Sequence, residues 1–494
     1  MAKDVIVVVQ RDALPKAKES LDILLVSTAG AYPVEVYRDI ESVEAVFGPK
    51  GASPNAKIVR KATTLFNQGK TTLAPALVSK FKIVGFDTPQ TASAKAATLK
   101  ITLPDENLEQ AIEASTNLWA KIGKGPEEAV QLTTTAKVTK WSQVAALFKS
   151  TAFTKGETSY SAAANGNAVT YTASEPGGVD PVTEKIEFFS DSTLKKKIEC
   201  KAVVEFTNGS KELTAADSLV KAIKNFQDKT DNDWYFLMTD RDEDEYVIAL
   251  SKYAEASEPT EAELKAGIAD NRKFYMGQTA NKRFESLTAR AAVIYTDTEY
   301  LKEEVDASYT GNVAPFYPKS VTWKFKRPQD GNAPASAGAK LISLPRLTEG
   351  EKNSLLENHV NFLTEEYKHQ YVKDGTCLNG EFIDVVLGGD WVANRMRNLL
   401  YKTLLENDNI DYDDAGFGAV ATAVVQALEE ATDLGIIARD AESKKGIYTV
   451  NIPKYDDSTE DQRRNRELPE IRWEALLAGS IHQVKTKGAL RATL

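Results

Sequence analysis

The run "DWYFLMT", Asp233–Thr239, followed by the acidic turn and the stretch "DEYVIALSKYAEAS", Asp244–Ser257, decides the fold. The first reads as a strand, being apolar and aromatic with no helical spacing. The second reads as a helix whose first turn carries acids that suit its dipole. Two more strand-like runs follow, "RKFYMGQT" (Arg272–Thr279) and "ARAAVIYTD" (Ala289–Asp297). Strands alternating with helices predict a parallel α/β sheet, because parallel neighbours need a crossover between them.

Working outward toward the N-terminus, Val5–Val9 is a β-branched run read as a buried strand, and "LDILLVS" (Leu21–Ser27) is a second. "YRDIESVEAVFG" (Tyr37–Gly48) predicts a short helix closed by Gly48. "NAKIVRKATTLFN" (Asn55–Asn67) puts Ile58, Ala62, Leu65 and Phe66 on one helical face, with Gly69 at the C-cap, and "FKIVGF" (Phe81–Phe86) returns as a strand. Residues 96–224 change character to Thr, Ser, Ala and Lys with scattered strands such as "AVTYTAS" and "KIEFFSD". The turn-rich "SEPGGVDP" (Ser174–Pro181) lies between them, so an inserted β-rich domain is expected.

Toward the C-terminus, "RPQDGNAPASAGAK" (Arg327–Lys340) reads as a linker before a mainly helical last third. Thr348 and Glu351 form a capping box ahead of "KNSLLENHVNFLTEEY", read as helix. Trp391–Leu405 is amphipathic. Phe417, Val420, Ala421, Val424 and Leu428 form one stripe before Gly435. "IYTVNIP" and the terminal "SIHQVKTKGALRATL" read as strands.

Composition narrows the function classes. The chain has 494 residues, so several domains are expected, and its 42% hydrophobic and 27% charged residues are ordinary globular usage. A net charge of −10 argues against nucleic acid as the main partner, since duplex binding neutralises phosphates with a basic face. Cys200 and Cys377 are far apart and outside any CxxC spacing, which predicts neither a disulfide framework nor a zinc site. Neither a signal-peptide core nor a membrane span is read, and a cytoplasmic site of synthesis is expected.

Chemical motifs are tested one by one. Gly69, Lys70 and Thr71 echo the end of a phosphate-binding loop, but Thr64 stands where the first glycine belongs and a helix precedes instead of a strand. Asp240, Asp242, Glu243, Asp244 and Glu245 follow a strand and offer carboxylates for Mg²⁺, which leaves a metal-dependent transferase or hydrolase using Asp240 and Asp242 as the alternative function. The competing reading is a solvated helix start. "ENDNIDYDDAG" (Glu406–Gly416) misses a calcium loop at Ala415 and Thr422. His359, His369 and His482 fall in no HExxH pattern, His359 and His369 are expected on a helix surface, and Cys377 reads as a buried or inert thiol. The residues predict no catalytic constellation, no metal site and no cofactor.

What remains is architecture. Both termini are β-forming, and a terminal strand with unpaired edges suits addition to a neighbour's sheet. "VTWKFK" (Val321–Lys326), "NGEFIDVVLGGDWVANRMRNLL" (Asn379–Leu400), "NIDYDDAGFGAV", "ATDLGIIA" and "RRNRELPEIRWEALLAGSIHQV" (Arg463–Val484) together resemble the tail sheath proteins of contractile-tailed bacteriophages. "YRDIESVEAVFG" and "KATTLFNQG" resemble the same family's opening. "IDYDDAG" departs from a Pro-Tyr-Thr-Asp style turn usual in that family.

The resemblance implies a multidomain α/β (α+β) structural protein. Its parts would be an N-terminal β arm (1–20), an α/β middle domain (21–95 and 225–340), an outward-facing insertion (96–224), a C-terminal sheath core domain (341–480) and a C-terminal β arm (481–494). It further implies hexameric rings stacked helically around a tail tube protein, ended by baseplate and tail terminator proteins, in a virion tail assembled in the host cytoplasm, with no nucleic acid and no membrane insertion. Val5, Ile6, Val7, Val8 and Val9 with Ile481, His482, Gln483, Val484 and Lys485 would be the exchanged arm strands. Arg463, Arg464 and Arg466 are candidates to touch the tube.

Overall fold

A computed structural model describes residues 23–49, 56–68, 78–87, 90–122, 129–149, 151–155, 158–177, 186–257, 272–333 and 340–483. The chain divides into two compact units, one of Met1–Pro89 with Leu219–Leu494 and one of Gln90–Ser218. The Val5–Val9 run and Gly69 to Thr71 lie outside the described residues.

The first unit is built on an eight-stranded sheet in the order His369–Lys373, Asn361–Glu366, Ala291–Tyr295, Phe274–Thr279, Phe236–Thr239, Ile23–Ser27, Phe81–Gly85, Tyr32–Tyr37. The inner pairings are parallel and only the two edge pairings are antiparallel. Every residue of Ile23–Ser27, Phe236–Thr239, Phe274–Thr279 and Ala291–Tyr295 is buried, which is why these runs show no alternation: a parallel sheet is covered on both faces. The helix Ile40–Phe47 starts on Asp39, whose side chain accepts from Ser42 N, and ends on Gly48 at φ 84°. Ala56–Phe66 and Asp244–Ala256 are helices as predicted.

Three expectations need correction. The helix opened by the Thr348–Glu351 capping box stops at Glu357, and "NFLTEEY" is a strand that joins the parallel sheet. His359, with φ 54°, therefore sits at a turn and His369 begins the edge strand, so neither lies on a helix. Asn361 explains the break: its side chain donates to Val293 O and Thr376 O and accepts from the backbone of Gly375 and Thr376, pairings available only to a residue seated in the sheet. The start of the predicted linker is not free either. Gln329 is buried, exchanges hydrogen bonds with Gln68 and accepts from Ser308 Oγ, while Asn332 donates to Thr64 Oγ1. Gly331 passes so close to Ala56–Phe66 that a Cβ there would come within 2.6 Å of Thr64 Cα.

The remaining part of this unit hangs on one long helix, Ile383–Glu406. Its first turns place Ile383, Val386 and Leu387 in the core under the parallel sheet. Further along, Trp391, Val392, Met396 and Leu399 form a second core with Ala423, Val424, Ala427, Leu428 and Ala431 of the helix Asp414–Asp433. Asp413 caps that helix by accepting from Gly416 N, and Gly435 leaves it at φ 75°. A two-stranded antiparallel hairpin, Tyr448–Asn451 with Arg472–Ala475, lays Tyr448, Val450, Trp473 and Ala475 against this second core.

The second unit is all antiparallel in its pairings. One sheet has the order Val203–Thr207, Ala96–Thr102, Ala168–Pro176, Thr158–Asn165, Ala152–Lys155, and another Lys197–Ile198, Glu187–Phe189, Asn117–Lys121, Ala129–Thr133. In "AVTYTAS" the alternation is literal: Val169, Tyr171 and Ala173 enter a core with Leu99, Phe148 and Phe188. "SEPGGVDP" lies partly outside the described residues. Cys200 is half-buried here, and burial pushes its thiol up to about 12.

Candidate functional site

In an open parallel sheet the natural ligand crevice lies beyond the C-terminal strand ends where the strand order turns back. Here that point falls between Ile23–Ser27 and Phe236–Thr239, so Asp240 and Asp242 stand where a ligand-binding loop would. The crevice is closed by the chain itself. Asp240 accepts from Thr28 N at 2.9 Å, Ser27 Oγ at 3.0 Å and Thr28 Oγ1 at 3.0 Å. Asp242 is paired with Lys57 and accepts from Gln278 Nε2 at 3.0 Å. Asp244 accepts from Thr279 Oγ1 and Asn281 Nδ2.

Behind these acids lies a wholly buried cation. Lys61 is paired with Asp306, 3.6 Å from Glu304 and 3.8 Å from Asp242, and Arg60 approaches Glu304 at 2.9 Å. Burial alone would push Lys61 down, yet Asp306, Asp242 and Glu304 together hold it well above the usual lysine range. Glu304 has the opposite bias: burial lifts its carboxyl to about 7, with Lys61 pulling against it. Carboxylates locked to lysines and backbone donors are poor ligands for a hydrated cation, because each would have to surrender its partner. Among the described residues no group of three or more His, Cys, Asp or Glu side chains is placed to hold a metal ion. The Asp240/Asp242 metal reading thus meets a site already filled by its own chain.

A second buried charge cluster ties the long helix to the sheet. Asp390, in the Ile383–Glu406 helix, accepts from Arg290 Nη2 at 2.7 Å and Tyr235 Oη at 2.6 Å, with Arg272 at 3.9 Å. Arg290 also donates to Lys273 O. Sequence reasoning missed both clusters, although a trace was present. Lys61 interrupts the apolar stripe of Ile58, Ala62 and Leu65, and Asp390 interrupts "VVLGGDWVA". A charge inside an apolar run requires a buried partner.

The predicted assembly residues lie elsewhere. Of the C-terminal arm, Ile481, His482 and Gln483 are described and form no strand within the subunit, while Val484, Lys485 and the N-terminal Val5–Val9 lie outside the described residues. His482 Nε2 is 2.8 Å from Thr322 Oγ1. The hairpin turns Tyr448, Val450, Trp473 and Ala475 to its core; its other face carries exposed Thr449, Asn451, Arg472 and Glu474, and the exposed apolar pair Ile447 and Leu476 extends that face just beyond the strands. Arg463, Arg464 and Arg466 sit on and just after the short helix Glu460–Asn465. Arg463 donates to Ser458 O and lies over the Tyr455 ring, Arg464 is 3.4 Å from Asp461, and Arg466 is exposed. The three do not converge on one partner. Cys377 is wholly buried, which raises its thiol well above the usual value.

These features define a multidomain α/β protein with a filled sheet crevice and a helix-pair and hairpin module at its C-terminal end. That module is recognisable: residues 383–489 match the family described as E217 tail sheath protein gp31-like, C-terminal domain. The match is confined to that region, which is similar to the C-terminal domain of tail sheath proteins. A comparison with curated proteins returned no match. Among solved structures, a chain of the anti-feeding prophage baseplate, determined by electron cryo-microscopy, is 14% identical with a TM-score of 0.40, covering 57% of this chain and 76% of that one. The sheath tail protein from Desulfitobacterium hafniense is 8% identical with a TM-score of 0.41, covering 95% and 99%. Both superpositions fall below the similarity from which a shared fold follows. Among the described residues no helix is long and apolar enough to cross a membrane.

Proposed function

We propose that the chain is the repeating subunit of a contractile tail sheath, polymerising as stacked hexameric rings around a tail tube and contracting to drive the tube through a host envelope. The observation that carries this reading is the family match over 383–489, the region whose hairpin is left half-covered. A two-stranded sheet is marginal alone and has unpaired edges, so it suits an added strand from another subunit. The arms 1–20 and 481–494 are the strands proposed to add there. A head-to-tail contact of this kind yields rings where its rotation closes and helical tubes where it does not. Subunits would then move as rigid bodies during contraction, with the arms keeping them linked.

On this reading the domains run as the sequence divides them, with 96–224 facing outward and 341–480 facing the tube. The baseplate and tail terminator would end the polymer, the virion tail would be its location after assembly in the host cytoplasm, and no reaction or cofactor would be needed. Negative-stain electron microscopy of the purified chain, alone and with its tube protein, tests it: hollow striated tubes are expected. Deleting Met1–Gln10, or everything from Ile481, should leave a folded subunit that forms no tubes. Normal tubes from either truncation would end the strand-exchange idea. Reversing the charge of Arg463, Arg464 and Arg466 should weaken tube association in a salt-sensitive way; unchanged association would remove them as contacts.

A further inference from the structure

The last described residues lie in a notch built from two separated parts of the chain. His482 meets Thr322 Oγ1 through Nε2 at 2.8 Å. Its ring stands edge-to-face against Phe382 (centroids 4.7 Å apart, planes at 87°) and against Phe325 (6.2 Å, 88°). Thr322 and Phe325 come from the segment after the Val305–Val313 helix, and Phe382 is the residue that opens the long Ile383–Glu406 helix. Thr322 Oγ1 already accepts from Lys324 N, which leaves its hydroxyl hydrogen free to donate to the imidazole. The notch therefore fits a neutral ring that accepts at Nε2. One residue before it, Ile481 is 78% exposed, so His482 is the inward-turned contact of this segment.

We infer that Thr322, Phe325 and Phe382 form a clasp for His482 that fixes where the C-terminal segment leaves the subunit, and that acidification opens it. The inference rests on the sheath reading for its purpose, since the segment is the proposed arm, but its geometry stands alone. The charged groups acting on the ring are Lys324 and Asp374, themselves 3.6 Å apart. Burial, and then Lys324, hold the imidazole below its usual value, with Asp374 opposing. A ring held below its free value binds its proton less well when clasped. Its contribution is therefore complete above the free value of about 6.5 and is lost as pH falls through the lower clasped value. A protonated ring also meets Thr322 as a second donor and Lys324 as a like charge.

Trypsin cleavage after Lys485 and Lys487, followed by mass spectrometry of the full chain in dispersed form, reads the clasp directly. The His482→Phe variant keeps an aromatic ring that cannot protonate. The ratio of wild-type to His482→Phe cleavage rates should rise several-fold between about pH 7.5 and about pH 5.5, a ratio that cancels the protease's own pH dependence. Phe382→Ala should be cut fast already at the higher pH. A ratio that stays constant, or a Phe382→Ala chain cut no faster than wild type, overturns the inference. Should His482→Phe fail to fold, the proton spectrum of the wild-type chain, with only three histidines, decides: the His482 ring should take up its proton at lower pH in the folded chain than in the same chain unfolded in urea, and coincident midpoints would refute the clasp. Because the subunits are dispersed, failure to form tubes would count against the sheath reading and leave this result untouched.

Discussion

The sheet crevice at Asp240 and the hairpin at Tyr448–Asn451 each sit where α/β or β-edge proteins usually meet a partner, yet they are finished in opposite ways. In the crevice, Asp240, Asp242 and Asp244 each find donors from their own chain, and Lys61 is enclosed by three carboxylates. At the hairpin one face is packed and the other carries exposed Thr449, Asn451, Arg472 and Glu474, extended by the exposed apolar pair Ile447 and Leu476. Charge is spent inward in the body and apolar surface is left outward at the C-terminal end. On the proposed sheath reading, a subunit that moves without deforming would need the first, and one that joins copies would need the second.

The largest test of this contrast is Asp390→Ala. Removing the carboxylate strands Arg290 in a fully buried site, which costs about 3–5 kcal/mol when one partner of a buried pair is lost. Urea unfolding should show that loss, and the region beyond the long helix should melt apart from the sheet. A loss below about 1 kcal/mol would place this link at the value of an exposed pair and break the claim that the body is held by inward charge.

Glu304 gives a pH signature of the same enclosure. Its carboxyl is raised to about 7, above the ordinary value, so the folded chain binds that proton more tightly than the unfolded one. The contribution is complete below the ordinary carboxyl range and is lost as pH rises through about 7. The difference in unfolding free energy between wild type and Glu304→Gln should therefore shift by about 3 kcal/mol across that window, and a constant difference would show the site to be wet. Gly331→Ala is smaller: a Cβ 2.6 Å from Thr64 Cα forces the docked segment off its helix, at about 1–3 kcal/mol. An unchanged melting temperature would return that stretch to the free linker its composition suggested.

That last case shows what the sequence can and cannot carry. Buried parallel strands, the Gly48 and Gly435 helix ends and the Thr348–Glu351 box were legible because each depends on neighbours within a few residues. "NFLTEEY" misled because its residues satisfy helical and strand spacing alike, and its choice is made by Asn361 bonding to Val293 and Thr376, far away in sequence. "RPQDGN" misled for the same reason: Gln68 fixes it from 261 positions away. The acidic turn was visible as a cluster of carboxylates, but the lysines that occupy it belong to another helix, and local pattern does not report who arrives from elsewhere. The β-forming termini suggested strand addition by composition alone, but the purpose of such arms was expected only through resemblance, since an open hairpin edge has no residue type of its own.

The smallest expected effect on stability separates the two regions most sharply. Ile447 and Leu476 meet across the hairpin, Leu476 N donating to Ile447 O, and are 40% and 56% exposed. Replacing both by serine removes apolar surface that already touches water, so the isolated subunit should change by no more than about 0.5 kcal/mol. If that face is covered by another copy in the polymer, the same change removes buried area at every repeat, and tubes should fail to form from a subunit of normal stability. A large loss of stability would mean that the face is already covered within the subunit. Normal tubes from a stable variant would mean that copies join through another surface. Only the combination of intact folding and lost polymerisation supports the proposal that copies join through this end of the hairpin.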